Sequence, residues 1–224
     1  MTPTRRSERA LQKAQQRAAL SGAGPTGEGT IARFPGAKAR FALFGEVLLV
    51  GMLMTALCVP LVTVPIALAA GIRHLRRYLN AEDSRLGLFW VDVRRGLAGG
   101  AVVGVAALIL LLLLLLDIDL ASTGALPGGP LVAVVGWAGL AALGVALITA
   151  ASAWTPEHGW RLAARRVPAL VADDVRGALY LVATLVFVVV VTWALPPLLI
   201  AGLGCAALAA VAIPVRPSRL TRRA

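Results

Sequence analysis

Few side chains in this chain have the type and spacing that chemistry requires. There are two histidines and two cysteines in 224 residues. His74 and His158 lie in basic segments, and neither has a second His, a Cys or a carboxylate at metal-ligand spacing on a shared helix face. Glu157-His158 lacks the second histidine of a zinc-protease helix. Both histidines are read as surface residues, and no metal or other cofactor is expected. Cys58 and Cys205 fall inside apolar runs, where a free thiol acts as a small packing group. Their number and spacing give no disulfide framework. Glu46 is the one ionisable residue inside an apolar run, and an intramembrane carboxylate is a functional candidate by default. It falls in the second turn of its helix, near a surface, where the helix dipole or a snorkelling arginine would meet it. No nucleophile–base set and no phosphate loop appears, so no enzymatic activity is expected.

The elements that position these residues are read from composition and charge. The chain is 58% hydrophobic with a mean hydropathy of +0.81, against about 45–50% apolar for a soluble domain. Apolar runs of 18 or more residues recur without alternation, which predicts membrane-crossing helices rather than strands. The expected fold is an all-α polytopic integral membrane bundle with about five apolar segments. These are Phe41–Gly71, Leu97–Leu116, Pro130 to about Ser152, Gly177–Leu195, and Leu198 to about Ile213. Residues 1–40 read as a polar arm, with a helix-prone stretch from Arg5 to Leu20 and a flexible linker from Ser21 to Thr30. The membrane domain spans 41–214, and 215–224 is a basic tail. Arg5-Arg6 is not followed by the apolar stretch of a twin-arginine signal, so no signal peptide is expected.

The net charge of +11 would suit nucleic acid, but its placement points to lipid. Residues 1–40 carry eight Lys/Arg, 72–96 six, 153–176 four and the tail four, which accounts for all 22. The loop "DIDLASTGALPGG" and the Pro196-Pro197 turn carry none. Positive flanks face the cytoplasm, so 72–96, 153–176 and the C-terminus are expected inside a bacterial inner membrane. Asp117, Asp119 and the Pro-Pro turn are expected outside.

The first segment resists this scheme, because both its flanks are positive. Two full crossings need about 40 residues, and Phe41–Gly71 is shorter than that. Pro60 and Pro65 cannot continue a helical hydrogen-bond ladder. The expectation is a hairpin that climbs to Cys58, turns through Val59–Pro65 and descends, with Arg73, Arg76 and Arg77 reaching the inner surface. Thr63 would cap a backbone group freed by the break. The competing reading is one kinked crossing with the arm outside.

The register Gly45-Glu46-Val47-Leu48-Leu49, then Pro60-Leu61-Val62-Thr63, then Ala67, Ala69 and Ala70, resembles the YesL family of bacterial membrane proteins, also called the DUF624 domain. Gly51 stands where that family usually has Asn. Phe89-Trp90 followed by Arg94-Arg95 is similar to the family's aromatic-basic segment, and "DDVRGALYL" adds to the likeness. The resemblance implies a helical membrane protein, in some members associated with carbohydrate uptake, and carries over no catalytic residue.

Gly96, Gly100 and Gly104 place a small residue every four positions, as do Ala138, Ala142, Ala146 and Ala150, and Ala201, Cys205 and Ala209. Such stripes let helix backbones approach closely. They are read as packing within the bundle, with a homo-oligomer seam as the alternative. Trp90, Trp154, Trp160 and Trp193 fall near membrane boundaries, where they anchor. Gly159–Val171 is read either as an amphipathic helix on the inner leaflet or as a connecting loop, and Asp173-Asp174 as a helix N-cap region. The expected role is a non-enzymatic accessory or assembly partner of another membrane protein or transporter component, docking through Phe89, Trp90, Arg94 and Arg95. The alternative is a small transporter or channel using the Pro60–Thr63–Pro65 break as a site. The lipid bilayer is the expected partner, and nucleic acid is not.

Overall fold

A computed structural model describes residues 36–123 and 128–215. Among the described residues the regular structure is helical throughout: α1 (Gly36–Cys58), α2 (Val64–Leu79), α3 (Leu86–Ser122), α4 (Gly129–Ala153), α5 (Gly159–Asp173), α6 (Val175–Ala194) and α7 (Leu199–Ala212), with short 3-10 turns at Leu61–Thr63, Pro196–Leu198 and Ile213–Val215. The stretches Arg5–Leu20 and Ser21–Thr30 and the basic tail from Arg216 onward lie outside the described residues. The all-α membrane bundle expected from composition is the fold observed. Five helical stretches are long and apolar enough to cross a membrane: Phe41–Cys58, Leu86–Ser122, Gly129–Ala153, Val175–Ala194 and Pro196–Val215. Their outward faces carry exposed Leu, Val and Ile, such as Val102, Ile109, Leu112, Leu113, Val134, Val189 and Val190. Contiguous apolar surface of that extent belongs in hydrocarbon.

The first segment is broken where its prolines fall, and it doubles back. Near the turn the Thr63 hydroxyl reaches Leu57 O. Further down, Gly71 packs on Met54 and Val50. Further still, His74 meets Glu46. Each step away from the turn on α2 is matched by a step back along α1, so the two helices are antiparallel. Pro65 lies in the first turn of α2, where its missing N–H is not needed. Because α2 has only 16 residues, it is about 24 Å long and shorter than the span of a bilayer core. The break at Val62 rests on Gly104, at the midpoint of α3.

The helix order fixes which residues share an end. The start of α1, the end of α2, the start of α3, the end of α4, α5, the start of α6 and the end of α7 lie together. All ten arginines between Arg73 and Arg176 belong to that basic end. Asp117, Asp119, the start of α4 and the Pro196–Leu198 turn lie at the other. The expected segment Leu97–Leu116 proves to be the middle of a 37-residue helix, about 55 Å long, which projects beyond the apolar core at its start. Gly159–Asp173 is a helix rather than a loop. Trp160 and Ala163 are buried on one side of it, and Arg161, Arg165 and Arg166 are exposed on the other. Asp174 closes its end and opens α6, its carboxylate accepting from Gly177 N at 2.9 Å, as an N-cap should.

Candidate functional site

The polar side chains that the fold draws inward gather at the basic end, where α1, α2, α3 and α4 meet. Arg73 and Arg77 are one turn apart on α2, so both side chains leave the same face. Both donate to Asp92 Oδ2 of α3, Arg73 Nε at 3.3 Å and Arg77 Nη2 at 2.6 Å. The Asp92 side chain is only 3% exposed. A buried carboxylate needs such partners, because unpaired it would lose its hydration with nothing in exchange. Asp92 was not singled out in the sequence. The signal was available: it is a lone acid between Phe89 and Arg94, facing an i, i+4 arginine pair.

Beside this fork, His74 Nε2 lies 2.5 Å from Glu46 Oε1. The expectation that His74 is a surface residue is wrong, since its side chain is wholly buried. The cause is the hairpin itself, which carries α2 back along α1 and turns His74 toward the carboxylate. Glu46 does sit near the basic end, but its partner is this imidazole rather than a snorkelling arginine. An ionised Glu46 only accepts, so Nε2 then donates and Nδ1 is left as the free ring nitrogen. His74 Nδ1 and Arg77 Nη1 are buried with no hydrogen-bond partner among the described residues. The Phe89 and His74 rings meet in a T-shaped contact, 6.2 Å between centroids. Tyr78, on the same helix, has its phenol pushed up by burial and by the nearby Glu46 charge.

Aromatic side chains join this cluster to α4 and α5. Trp154 and Trp160 stack at 5.6 Å, and the Arg73 guanidinium lies 5.6 Å from the centre of a Trp154 ring, within cation–π range. Trp160 Nε1 donates to Gly96 O of α3 at 3.0 Å. The close approach of the indole to α3 uses Gly99 and Gly100, where a Cβ would lie 2.9 and 3.0 Å from the Trp160 ring. Both tryptophans are buried, so their role is packing at the boundary rather than display in the lipid interface. His158, in contrast, is exposed, with its Nδ1 2.9 Å from the Thr155 hydroxyl. Neighbouring Glu157 is held below the ordinary carboxylate range by a backbone hydrogen bond and by the Thr155 hydroxyl.

The predicted docking residues are split by α3. Phe89 is fully buried and is corrected from a docking residue to a core residue. It falls with Asp92, Val93 and Gly96 on the face turned into the bundle. Trp90, Val91, Arg94 and Arg95 are exposed on the opposite face. The glycine stripe lies on the inward side. A Cβ on Gly104 would overlap Val62 O, and one on Gly100 would overlap the Ile66 side chain. The alanine stripe does not behave alike. Ala138 and Ala142 are exposed, Ala146 is half-buried and Ala150 is buried, while burial elsewhere on α4 follows Gly136, Val145, Ile148 and Ala151. In the third stripe, Cys205 is exposed.

At the break, Thr63 Oγ1 lies within bonding distance of both Leu57 O and Pro60 O, the latter at 2.6 Å, and Thr63 N donates to Pro60 O at 2.8 Å. Two carbonyls left without helical donors where α1 ends are thus taken up locally, which helps non-helical backbone persist at that depth. A cavity of about 160 Å³ beside the break is walled by Leu61, Val64, Pro65, Gly104 and leucines of α3 and α4. A larger cavity, about 290 Å³, opens at the basic end between α2, α4, α5, α6 and α7. No group of three or more His, Cys, Asp or Glu that could hold a metal ion occurs among the described residues. No family model, no curated protein and no solved structure matches this chain.

Proposed function

We propose that this integral membrane protein is a non-enzymatic accessory or assembly partner of another membrane component, which it engages through the exposed face at the start of α3. One observation carries the reading. The first turns of α3 are two-faced: Phe89, Asp92, Val93 and Gly96 are locked inward, while Trp90, Val91, Arg94 and Arg95 project outward at the end of a helix that overruns the apolar core. Trp and Arg are the residue types enriched where protein surfaces bind, and here a rigid cluster beneath them presets their position. The positive-inside rule supports a cytoplasmic position for this face, with the chain leaving α7 on the same side, and the bacterial inner membrane belongs to the same reading. The link to carbohydrate uptake rests on the YesL resemblance alone, carried by Gly45–Leu49, Pro60–Thr63, the alanines Ala67, Ala69 and Ala70, the aromatic-basic segment Phe89–Arg95 and Asp173–Leu181.

The test is co-purification in mild detergent from the native host, wild type against Arg94→Glu/Arg95→Glu. Loss of a stoichiometric partner with unchanged yield and melting temperature is the expected result. An unchanged set of co-purifying proteins removes this face as the docking site.

A further inference from the structure

The α2 arginines are not used alike. Arg73 and Arg77 serve Asp92, whereas Arg76 points away from that carboxylate and donates to Ser152 O at 3.3 Å. Arg76 and its acceptor Ser152 both line the 290 Å³ cavity at the basic end, as does Arg166 of α5. Thr149 and Ser152 supply further polar atoms at that level, and Leu181 and Ala210 make apolar wall. Asp174 lines the cavity too, with one oxygen committed to Gly177 N at the start of α6. Two guanidinium groups and one carboxylate leave the lining with an excess of one positive charge. Burial and the neighbouring Arg73 both weaken the hold of Arg76 on its proton, so an anion in the cavity would relieve the site.

A second, mostly apolar groove adjoins the cavity at one residue. Ile213 is shared with a shallow groove between α6 and α7, floored by Ala183, Phe187, Cys205 and Ala209. A ligand suited to both parts carries a single negative charge at one end and a hydrocarbon chain at the other. The level is right as well, since the amphipathic α5 that contributes Arg166 lies at the basic end, where headgroups are.

We propose that this cavity binds the phosphodiester head of an anionic glycerophospholipid, with one acyl chain lying in the α6–α7 groove. The volume suits a headgroup phosphate and the first atoms of a chain rather than a whole lipid, and lies at the lower edge of ligand-site sizes. The site is remote from the outer face of α3, so its failure and that of the proposed docking face are separate outcomes.

Native mass spectrometry of the full chain in mild detergent tests this, with phosphatidylglycerol, phosphatidylcholine and inorganic phosphate as probes. One phosphatidylglycerol per chain is expected to be retained about tenfold more tightly than phosphatidylcholine. Arg166→Gln, a change at an exposed side chain that leaves the fold intact, is expected to weaken that retention about tenfold. Arg161→Gln, on the same helix but outside the cavity, is expected to leave it unchanged. Arg76→Gln should match Arg166→Gln if it folds. Equal retention of the two lipids, equal loss in Arg161→Gln and Arg166→Gln, or displacement of the lipid by millimolar inorganic phosphate would each overturn the proposal.

Discussion

The basic end of the bundle and its apolar middle hold the same helices together by different means. At the basic end, α1 to α5 are joined by charge and ring contacts: Glu46 to His74, Asp92 to Arg73 and Arg77, Arg73 to Trp154, and Trp154 to Trp160. In the middle, beside buried side chains such as Val50, Met54, Ile66 and Ile148, the closest approaches are made at residues that have almost no side chain. Gly51 sits on Ile200 O, Gly104 on Val62 O and Gly204 on Val47 O. The difference follows from the solvent. Lipid is as apolar as leucine, so burying leucine between helices gains little there, and close backbone approach is what stabilises contact. Near the headgroups, the environment tolerates charges, and a shielded ion pair can specify which helices meet. The same contrast explains why the far half of α3, despite its leucine run, is mostly exposed.

Breaking the middle should cost most. Gly104→Leu puts a side chain where a backbone carbonyl already lies, and no rotamer relieves that. The expected outcome is no monodisperse protein by fluorescence-detected gel filtration, while Gly45→Leu, with nothing within 4 Å of its Cβ position, gives a normal peak. At the basic end, Asp92→Ala leaves two arginines without their carboxylate. The expected destabilisation is about 3 kcal/mol, at the low end of values for a broken buried pair because both arginines keep some contact with water. A melting curve in detergent should show it, and an unchanged midpoint would mean that the fork is ornamental. Thr63→Val removes the hydroxyl that serves Leu57 O and Pro60 O, and about 1–2 kcal/mol should be lost. The same melting assay reads it, and a loss as large as that of Asp92→Ala would place the break among the principal supports. Smallest of all, Ala142→Leu enlarges an exposed residue of the alanine stripe and should shift stability by less than about 0.5 kcal/mol. A folded Ala142→Leu protein of altered oligomeric state by light scattering would show that this stripe is a seam between copies.

Much of the fold was legible because its signals are local. Proline removes a donor wherever it stands, so the interruption at Pro60 and Pro65 could be read directly, and positive charge on both flanks of Phe41–Gly71 argued for a return. The capping role of Thr63 followed from its place between the prolines. Side-chain partners were less legible. His74 looked like a surface residue because its sequence neighbours are arginines, and Phe89 looked available for docking because it stands beside Trp90. In both cases burial depends on the helix opposite, which the local sequence does not name. The three small-residue stripes have the same spacing, yet only Gly96, Gly100 and Gly104 are all buried against the rest of the bundle. Spacing defines a face but not what that face meets.

Composition, run length and charge placement by themselves determined an all-helical membrane protein with one strongly basic end and a broken first segment, because hydrophobic length and proline chemistry act residue by residue. Only the tertiary structure decided that Glu46 meets His74, that Asp92 holds two of three arginines, and that Arg76 lines a cavity. Those pairings join residues 15 to 76 positions apart, and a contact at such separation is set by how helices pack across the bundle.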